Sequence, residues 1–508
     1  MKKFTKLARL GKLLFKDKIT NFWDKLLTEK PQGDLLTFYQ KRLNHFLSLP
    51  DLEKIIGKEH AGCSYAAMAE VEALFEDKGL KPLPPLGQKA FQKLLSEGTS
   101  SRPIVAYIHI PFCKIKCTYC SFFKQGSSAK AEAEYVTKLL AELEQMCNVR
   151  YLATTEIKAV FLGGGTPGTL TKEQLSSILK KVRQVLPLSA DCEITVESSI
   201  YDMDAEKLTA CIESGANRFS FGVQTFDTDL RRKLGRPDAC EEVMRKLQLF
   251  AATGTKIIID LIYGLPGQTK ELLQRDLQLY LECGLSGVDL YKLQIFPGTP
   301  LGNQFQADQS NFPTGKALAE LFISGAEFLN SNGCRQLSCC HWATDDRESS
   351  RYNTMVKNGA QVLAFGAGCG GSLGNYSYMQ PFDLERYCSM VEQGAKPFVM
   401  LFERDAFAPI FASIKGQFDS GVFEPQKLNR LVDIPFQLLL QPLLERWRRN
   451  GLIEKEAGGI YRLTTTGLFW QNQLNRAVMI AVQYLLYGPR IAGRKSALTA
   501  TSAMENRT

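Results

Sequence analysis

From about residue 102 onward, two hydrophobic patterns alternate along the chain. Short, nearly continuous apolar runs bounded by turn residues read as buried strands: VAYIHI, KAVFLGG, CEITVES, RFSFGVQ, KIIIDLIYG and GVDLYKLQI. Between them lie helically spaced stretches at about 130–148, 171–186, 204–214, 239–253 and 269–283. This alternation predicts parallel βαβ units with right-handed crossovers. Polar residues interrupt the runs at a constant place. A cysteine-rich loop follows the first run and GGGTP follows the second. Glu197 and Gln224 end the third and fourth, Asp260 lies inside the fifth, and Gln294 lies near the end of the sixth. Polar groups at successive C-terminal strand ends are what an active site on a (β/α) barrel requires. The expected fold is therefore α/β, a partial (β/α)6 TIM-like barrel whose open side admits a larger substrate.

The flanking segments read differently. Residues 1–100 are mostly helical in pattern and form an N-terminal extension before the barrel at 101–300. Residues 301–400 extend the barrel on its substrate side. Residues 401–487 read as helix, turn, two short strands and helix, which resembles a winged helix, and the polar tail 488–508 is expected to be disordered. The basic ERWRRNG helix of that module is weak evidence for DNA, and no nucleic-acid partner is expected. The formal charge is +9, and much of it sits in the first 27 residues, a basic amphipathic pattern. A helix packed on the main domain explains this pattern. A helix lying on an anionic membrane surface or a protein partner explains it too. With no secretory signal and no apolar run long enough to span a bilayer, a cytoplasmic protein is expected.

The stretch YIHIPFCKIKCTYCSFFK places Cys113, Cys117 and Cys120 within eight residues, spaced C-x3-C-x2-C. A closed zinc site needs four ligands and a disulfide needs two thiols, so three is an awkward number. A zinc knuckle with a distant fourth ligand, or buried structural thiols, would account for the triad alone. A [4Fe–4S] cluster accounts for it differently: three thiolates hold three irons and leave one iron free to chelate a small molecule. The other cysteines are scattered, many of them in apolar helix-like stretches, as small buried residues of a reducing compartment.

In order with FLGGGTP, SFGVQTF, LGR, DLIYGLPGQT and FPGTP, the triad resembles the radical SAM superfamily. More narrowly it resembles the group containing oxygen-independent coproporphyrinogen III oxidase and its heme-binding relatives. The resemblance covers about residues 102–480. It implies a [4Fe–4S] cluster on the three cysteines, with S-adenosylmethionine on the open iron as the source of a 5′-deoxyadenosyl radical. Gly163, Gly164 and Gly165 clear space where backbone approaches the methionine moiety. Tyr107 and Tyr119 match positions that contact this first cofactor, and Glu197 fits a carboxylate facing its positive charge. Gln224, Arg236 and Asp260 match positions that hold a second S-adenosylmethionine; Gly165, Thr166 and Gln294 match others.

Ser121 and Phe122 follow Cys120 where the oxidase has a further cysteine. CSFFK and the segment HWATDDRESSRYNTMVKNGAQVLAFGAGCGGSLGNYSYM resemble instead the heme-utilisation methyltransferases of the HutW/ChuW type. That branch implies anaerobic opening of heme to a linear methylated tetrapyrrole, with iron released. Heme would be the substrate and reduced flavodoxin, or a similar protein, the electron donor; a heme-handling or reductase protein would be a further partner. A heme chaperone and a coproporphyrinogen oxidase are the alternatives. Histidine is scarce, and His341 stands beside Cys339, Cys340 and Trp342. Any of His341, Cys339 and Cys340 could ligate heme iron or donate a proton. The competing reading of His341 is a core residue packed on Trp342. Arg347, Arg351 and Tyr352 are either propionate partners or an exposed helix face.

Overall fold

A computed structural model describes residues 88–487, apart from 101, 122–124, 148, 314 and 395. The basic N-terminal helix, most of SFFK and the 488–508 tail lie outside the described residues. The chain divides into two compact units. Among the described residues, one runs up to Val422 and over Leu463–Gln471; the other includes Phe423–Arg462 and the stretch from Asn472 onward.

The first unit contains all six predicted strands: β1 (Ile104–Ile110), β2 (Ile157–Gly164), β3 (Leu188–Ser199), β4 (Arg218–Gln224), β5 (Lys256–Tyr263) and β6 (Gly287–Lys292). They pair in parallel and in chain order. The connecting helices are α1 (Ala129–Glu144), α2 (Lys172–Val185), α3 (Ala205–Glu213), α4 (Cys240–Ala251) and α5 (Lys270–Glu282). Four of these five starts are chemically marked. Ser128, Thr171, Asp204 and Thr269 each accept a backbone N–H two residues into the helix, and Thr171 with Gln174 completes a capping box. Helices cover the outer face of the sheet, so the strands are buried on both sides and read as apolar runs; every residue of β4 is buried.

The edges of the six-strand array do not stay free. Strand β7 (His341–Ala343) pairs antiparallel with β6, and β8 (Gln361–Phe365) pairs parallel with β1. Beyond β8 follow Gly370–Leu373, Tyr376–Met379 and Met400–Glu403, all antiparallel. The twelve-stranded order ends at Met400–Glu403 on one side and Arg335–Gln336 on the other, so the array remains open as predicted. Pairing removes the unpaired backbone row that an exposed edge would present. A buried polar clamp fixes this extension to α1. Lys396 Nζ lies 2.5 Å from Glu142 Oε1 and 4.1 Å above the Phe365 ring. Glu142 also accepts from Tyr387 Oη at 2.7 Å, Gly366 N at 2.9 Å and Gln380 Nε2 at 2.8 Å. In the second unit, helix Gln441–Arg449 is followed by strand Ile453–Lys455 of a three-stranded sheet. Among the described residues no helix is long and apolar enough to cross a membrane.

Candidate active site

The cysteine loop leaves the C-terminal end of β1 and is anchored on two sides. On one side it meets GGGTP: Gly165 N donates to Ile110 O at 2.7 Å, Thr166 N to Phe112 O at 2.8 Å, and Thr166 Oγ1 lies 3.5 Å from Cys113 Sγ. On the other it meets the LGR segment and Leu301. Thr118 N donates to Leu234 O at 3.1 Å, and Leu301 N donates to Thr118 O at 2.9 Å. Cys113, Cys117 and Cys120 are half-buried free thiols. Burial raises the Cys113 thiol pKa above its usual value, a hydrogen bond from Thr166 opposes this, and the neighbouring Cys120 and Cys117 raise it further. Neighbouring thiolates disfavour one another's charge, a penalty that a bound cationic centre would relieve. Among the described residues no three His, Cys, Asp or Glu side chains converge as ligands of one ion.

The glycine run allows a close approach. A Cβ on Gly163 would lie 2.5 Å from Glu197 Oε2, and one on Gly165 would lie 2.6 Å from Phe112 O. Gly164 has φ +117° and sits against the His109 ring, a conformation that side chains rarely adopt. Alternation along the strands turns Tyr107, Phe161, Glu197, Ser220, Asp260 and Asp289 toward the barrel interior. Tyr107 stacks on Phe161 at 6.3 Å, and its Oη lies 3.0 Å from His109 Nδ1. Burial lowers the His109 pKa to about 4, so its ring is neutral at neutral pH. Burial raises Glu197 to about 7, with the Gly164 backbone N–H opposing the shift.

The LGR arginine ties the cysteine loop to the sheet. Arg236 Nη2 donates to Tyr119 Oη at 3.0 Å, and Nη1 donates to Gly222 O at 3.1 Å. Gln224 has φ +73°, one of two positive values at non-glycine positions among the described residues. Strain of this kind clusters at functional sites. The structure thus gathers Tyr107, Tyr119, Gly164, Gly165, Thr166, Glu197, Gln224, Arg236 and Asp260 on the interior and C-terminal end of the barrel. Gln294 is two residues past β6, exposed, with its amide 3.4 Å from Lys292 O.

The substrate candidates are placed less simply. His341 is 2% exposed, with Nδ1 at 3.1 Å from Asp289 Oδ1 and Nε2 at 3.3 Å from Glu348 Oε1. These are charge contacts; neither is aligned as a hydrogen bond. Burial would lower the His341 pKa, but Asp289 and Glu348 outweigh it and push it up to about 10. Cys339 Sγ lies 3.4 Å from Asp419 Oδ1, and Cys340 Sγ 3.9 Å from Asp289 Oδ1. Arg351 pairs with Asp191 at 2.8 Å, and Arg347 with Asp345 and with Gly254 O. Asp191 and Gly254 lie near the N-terminal ends of β3 and β5, so the structure does not bring these arginines to the cysteine face. Sequence reasoning passed over Asp289, Glu348 and Arg218. A charged residue inside an apolar strand run, as in GVDLY and RFSFG, was the available signal.

The sequence profile of the Radical SAM superfamily matches residues 107–280. An anaerobilin synthase of Escherichia coli O157:H7 is 35% identical over 399 residues, covering 78% of this chain and 88% of that protein.

The chain belongs to the radical SAM superfamily.

A second relative, a heme chaperone of Bacillus subtilis, is 30% identical over 378 residues, covering 73% of this chain and 97% of its own. Among solved structures, coproporphyrinogen III oxidase from Escherichia coli superposes with a TM-score of 0.66 at 22% identity, covering 77% of this chain and 93% of that one. This likeness fixes the fold. Membership implies a [4Fe–4S] cluster and S-adenosylmethionine. The residues present fit both groups. Three thiols share one loop, glycines stand where side chains would fill the adjoining space, and a carboxylate borders that space.

Proposed function

We propose that this radical SAM protein opens heme anaerobically, transferring a one-carbon unit to the macrocycle and releasing iron from a linear tetrapyrrole. The observation that carries this reading is the 35% identity extending over 88% of an anaerobilin synthase. Cys113, Cys117 and Cys120 would hold the cluster, which, once bound to S-adenosylmethionine, supplies the reducing electron for radical formation. Tyr107, Tyr119, Gly164 and Glu197 would position the first S-adenosylmethionine. Gln224, Arg236 and Asp260 would position a second, with Gly165, Thr166 and Gln294 nearby. His341, Cys339 and Cys340 would stand on the substrate side. Reduced flavodoxin or a similar protein would supply electrons.

One anaerobic assay tests this. Reconstituted protein is incubated with S-adenosylmethionine, a reductant and heme. Loss of the Soret band, with a linear product heavier by a methyl-type unit, is the expected result. Heme that stays bound and intact would support the chaperone reading, which the 97% coverage of the Bacillus protein favours. Turnover of coproporphyrinogen and not of heme would support the oxidase.

Glu197 gives a pH prediction. Its carboxyl takes up a proton as pH falls through about 7. A neutral acid loses its attraction for a sulfonium or ammonium group. Apparent affinity for S-adenosylmethionine is therefore expected to hold above that range and to weaken by up to about tenfold per unit below it. Glu197→Gln should bind weakly and with a flat profile. An unchanged slope in this variant would remove Glu197 from the role.

A further inference from the structure

A row of ionisable groups, buried at Asp289, His341 and Glu348 and half-buried at Asp260, crosses the barrel interior beside the proposed cofactor space. Asp260 on β5 stands directly opposite Asp289 on β6, and Asp289 opposite His341 on β7. Neighbouring strands are about 4.8 Å apart, so side chains on one face at paired positions meet. Below them, Arg218 grips Glu348 through Nε at 3.1 Å to both carboxylate oxygens and through Nη2 at 3.0 Å. Glu348 holds the second nitrogen of His341. Three carboxyl groups, those of Asp260, Asp289 and Glu348, therefore face two basic side chains, Arg218 and His341. Glu197 adds another carboxyl from β3, and the Tyr291 hydroxyl and the Cys340 thiol lie within electrostatic reach of Asp289.

Two carboxyls this close do not both ionise readily, and the neighbour with the better counter-charge keeps its charge. Asp289 has His341 at 3.1 Å. Among the described residues Asp260 has the Ser220 hydroxyl at 3.3 Å and the charge of Arg218, which is itself engaged by Glu348. We propose that Asp260 and Asp289 share a single proton, that His341 acts as a positioning residue fixing it on Asp260, and that Asp260 is in consequence a neutral acid aimed at the cysteine face. Burial, then Asp289 and Glu197, push the Asp260 carboxyl well above the usual carboxylate range, with Arg218 and Ser220 opposing. Asp260 pairs in register with Gly222, whose carbonyl holds the arginine bound to Tyr119. From there its proton can pass to an acceptor on the cysteine face, leaving a carboxylate that solvent reprotonates. Service as a proton source during heme opening rests on the reading above; the resting protonation does not.

The test is infrared spectroscopy of the anaerobically reconstituted full chain without added S-adenosylmethionine, so that the resting state is observed. At about pH 8.5, Glu197 and Asp276, which titrate near 7, are ionised. A protonated-carboxyl carbonyl band that shifts in D2O is expected, and Asp260→Asn should remove it. Asp289→Asn should move its loss to lower pH, because Asp260 keeps its burial and the Glu197 charge but loses the second carboxyl that helps to hold its proton. In the His341→Gln background, Asp260→Asn should leave a band, because Asp289 now takes up the proton. A role of His341 in folding alone would not produce that reversal. Absence of the band in the parent protein, or its survival in Asp260→Asn, would overturn the proposal, whatever the outcome with heme.

Discussion

Cys117→Ala is expected to abolish cluster assembly and reduce turnover to background. Each of the three thiolates would hold one iron of the proposed cluster, leaving one for the cofactor. With two protein thiolates the cluster would lose a ligand it needs. The loop is held by backbone hydrogen bonds from Thr118, Gly165 and Leu301, none of which involves the Cys117 thiol, so the fold should survive the change. The check is iron and sulfide content per chain, with visible absorbance, after anaerobic reconstitution. Cys113→Ala and Cys120→Ala should behave alike. Cys147→Ala is the control, because that thiol is exposed and stands past the end of α1. Full iron occupancy and turnover in the Cys117 variant would remove the triad from its assigned role.

The second large effect concerns stability. Lys396→Met is expected to cost about 3–5 kcal/mol, because it leaves the Glu142 charge buried without its cation. Glu142 is fully buried and Lys396 nearly so, which excludes the water that would otherwise rescue the unpaired carboxylate. The remaining donors, Tyr387, Gly366 and Gln380, are neutral. Thermal unfolding of the anaerobic protein should show a clear drop in midpoint. The paired change Lys396→Met with Glu142→Gln should recover much of the loss, since no isolated charge then remains. A single variant as stable as the parent would show that this clamp contributes little to holding the flanking strands on α1.

The two predictions draw on different kinds of information. The cysteine triad was readable from the sequence because its residues are close neighbours along the chain. The glycine run was readable in the same way, since it acts through local backbone. The six strands were readable because burial on both faces writes them as continuous apolar runs. Strands β7 and β8 were not. His341–Ala343 and Gln361–Phe365 are too short to show a period, and they are strands only because the edges of β6 and β1 offer partners. The clamp joins residues 142 and 396, a distance along the chain that no pattern spans.

His341 shows the boundary most clearly. Its scarcity and its setting beside two cysteines marked it as chemically interesting, and sequence could go no further. Its neighbours Asp289 and Glu348 arrive from β6 and from the loop after β7, and they turn an apparent substrate contact into one member of a buried charge row. By itself the sequence determined the local chemistry, namely which thiols, glycines and strand-end carboxyls exist, because those depend on spacing and hydrophobic period. Only the tertiary structure decided which charges meet, and so which of them keep their protons. Electrostatic energy falls with distance in space and takes no account of separation along the chain.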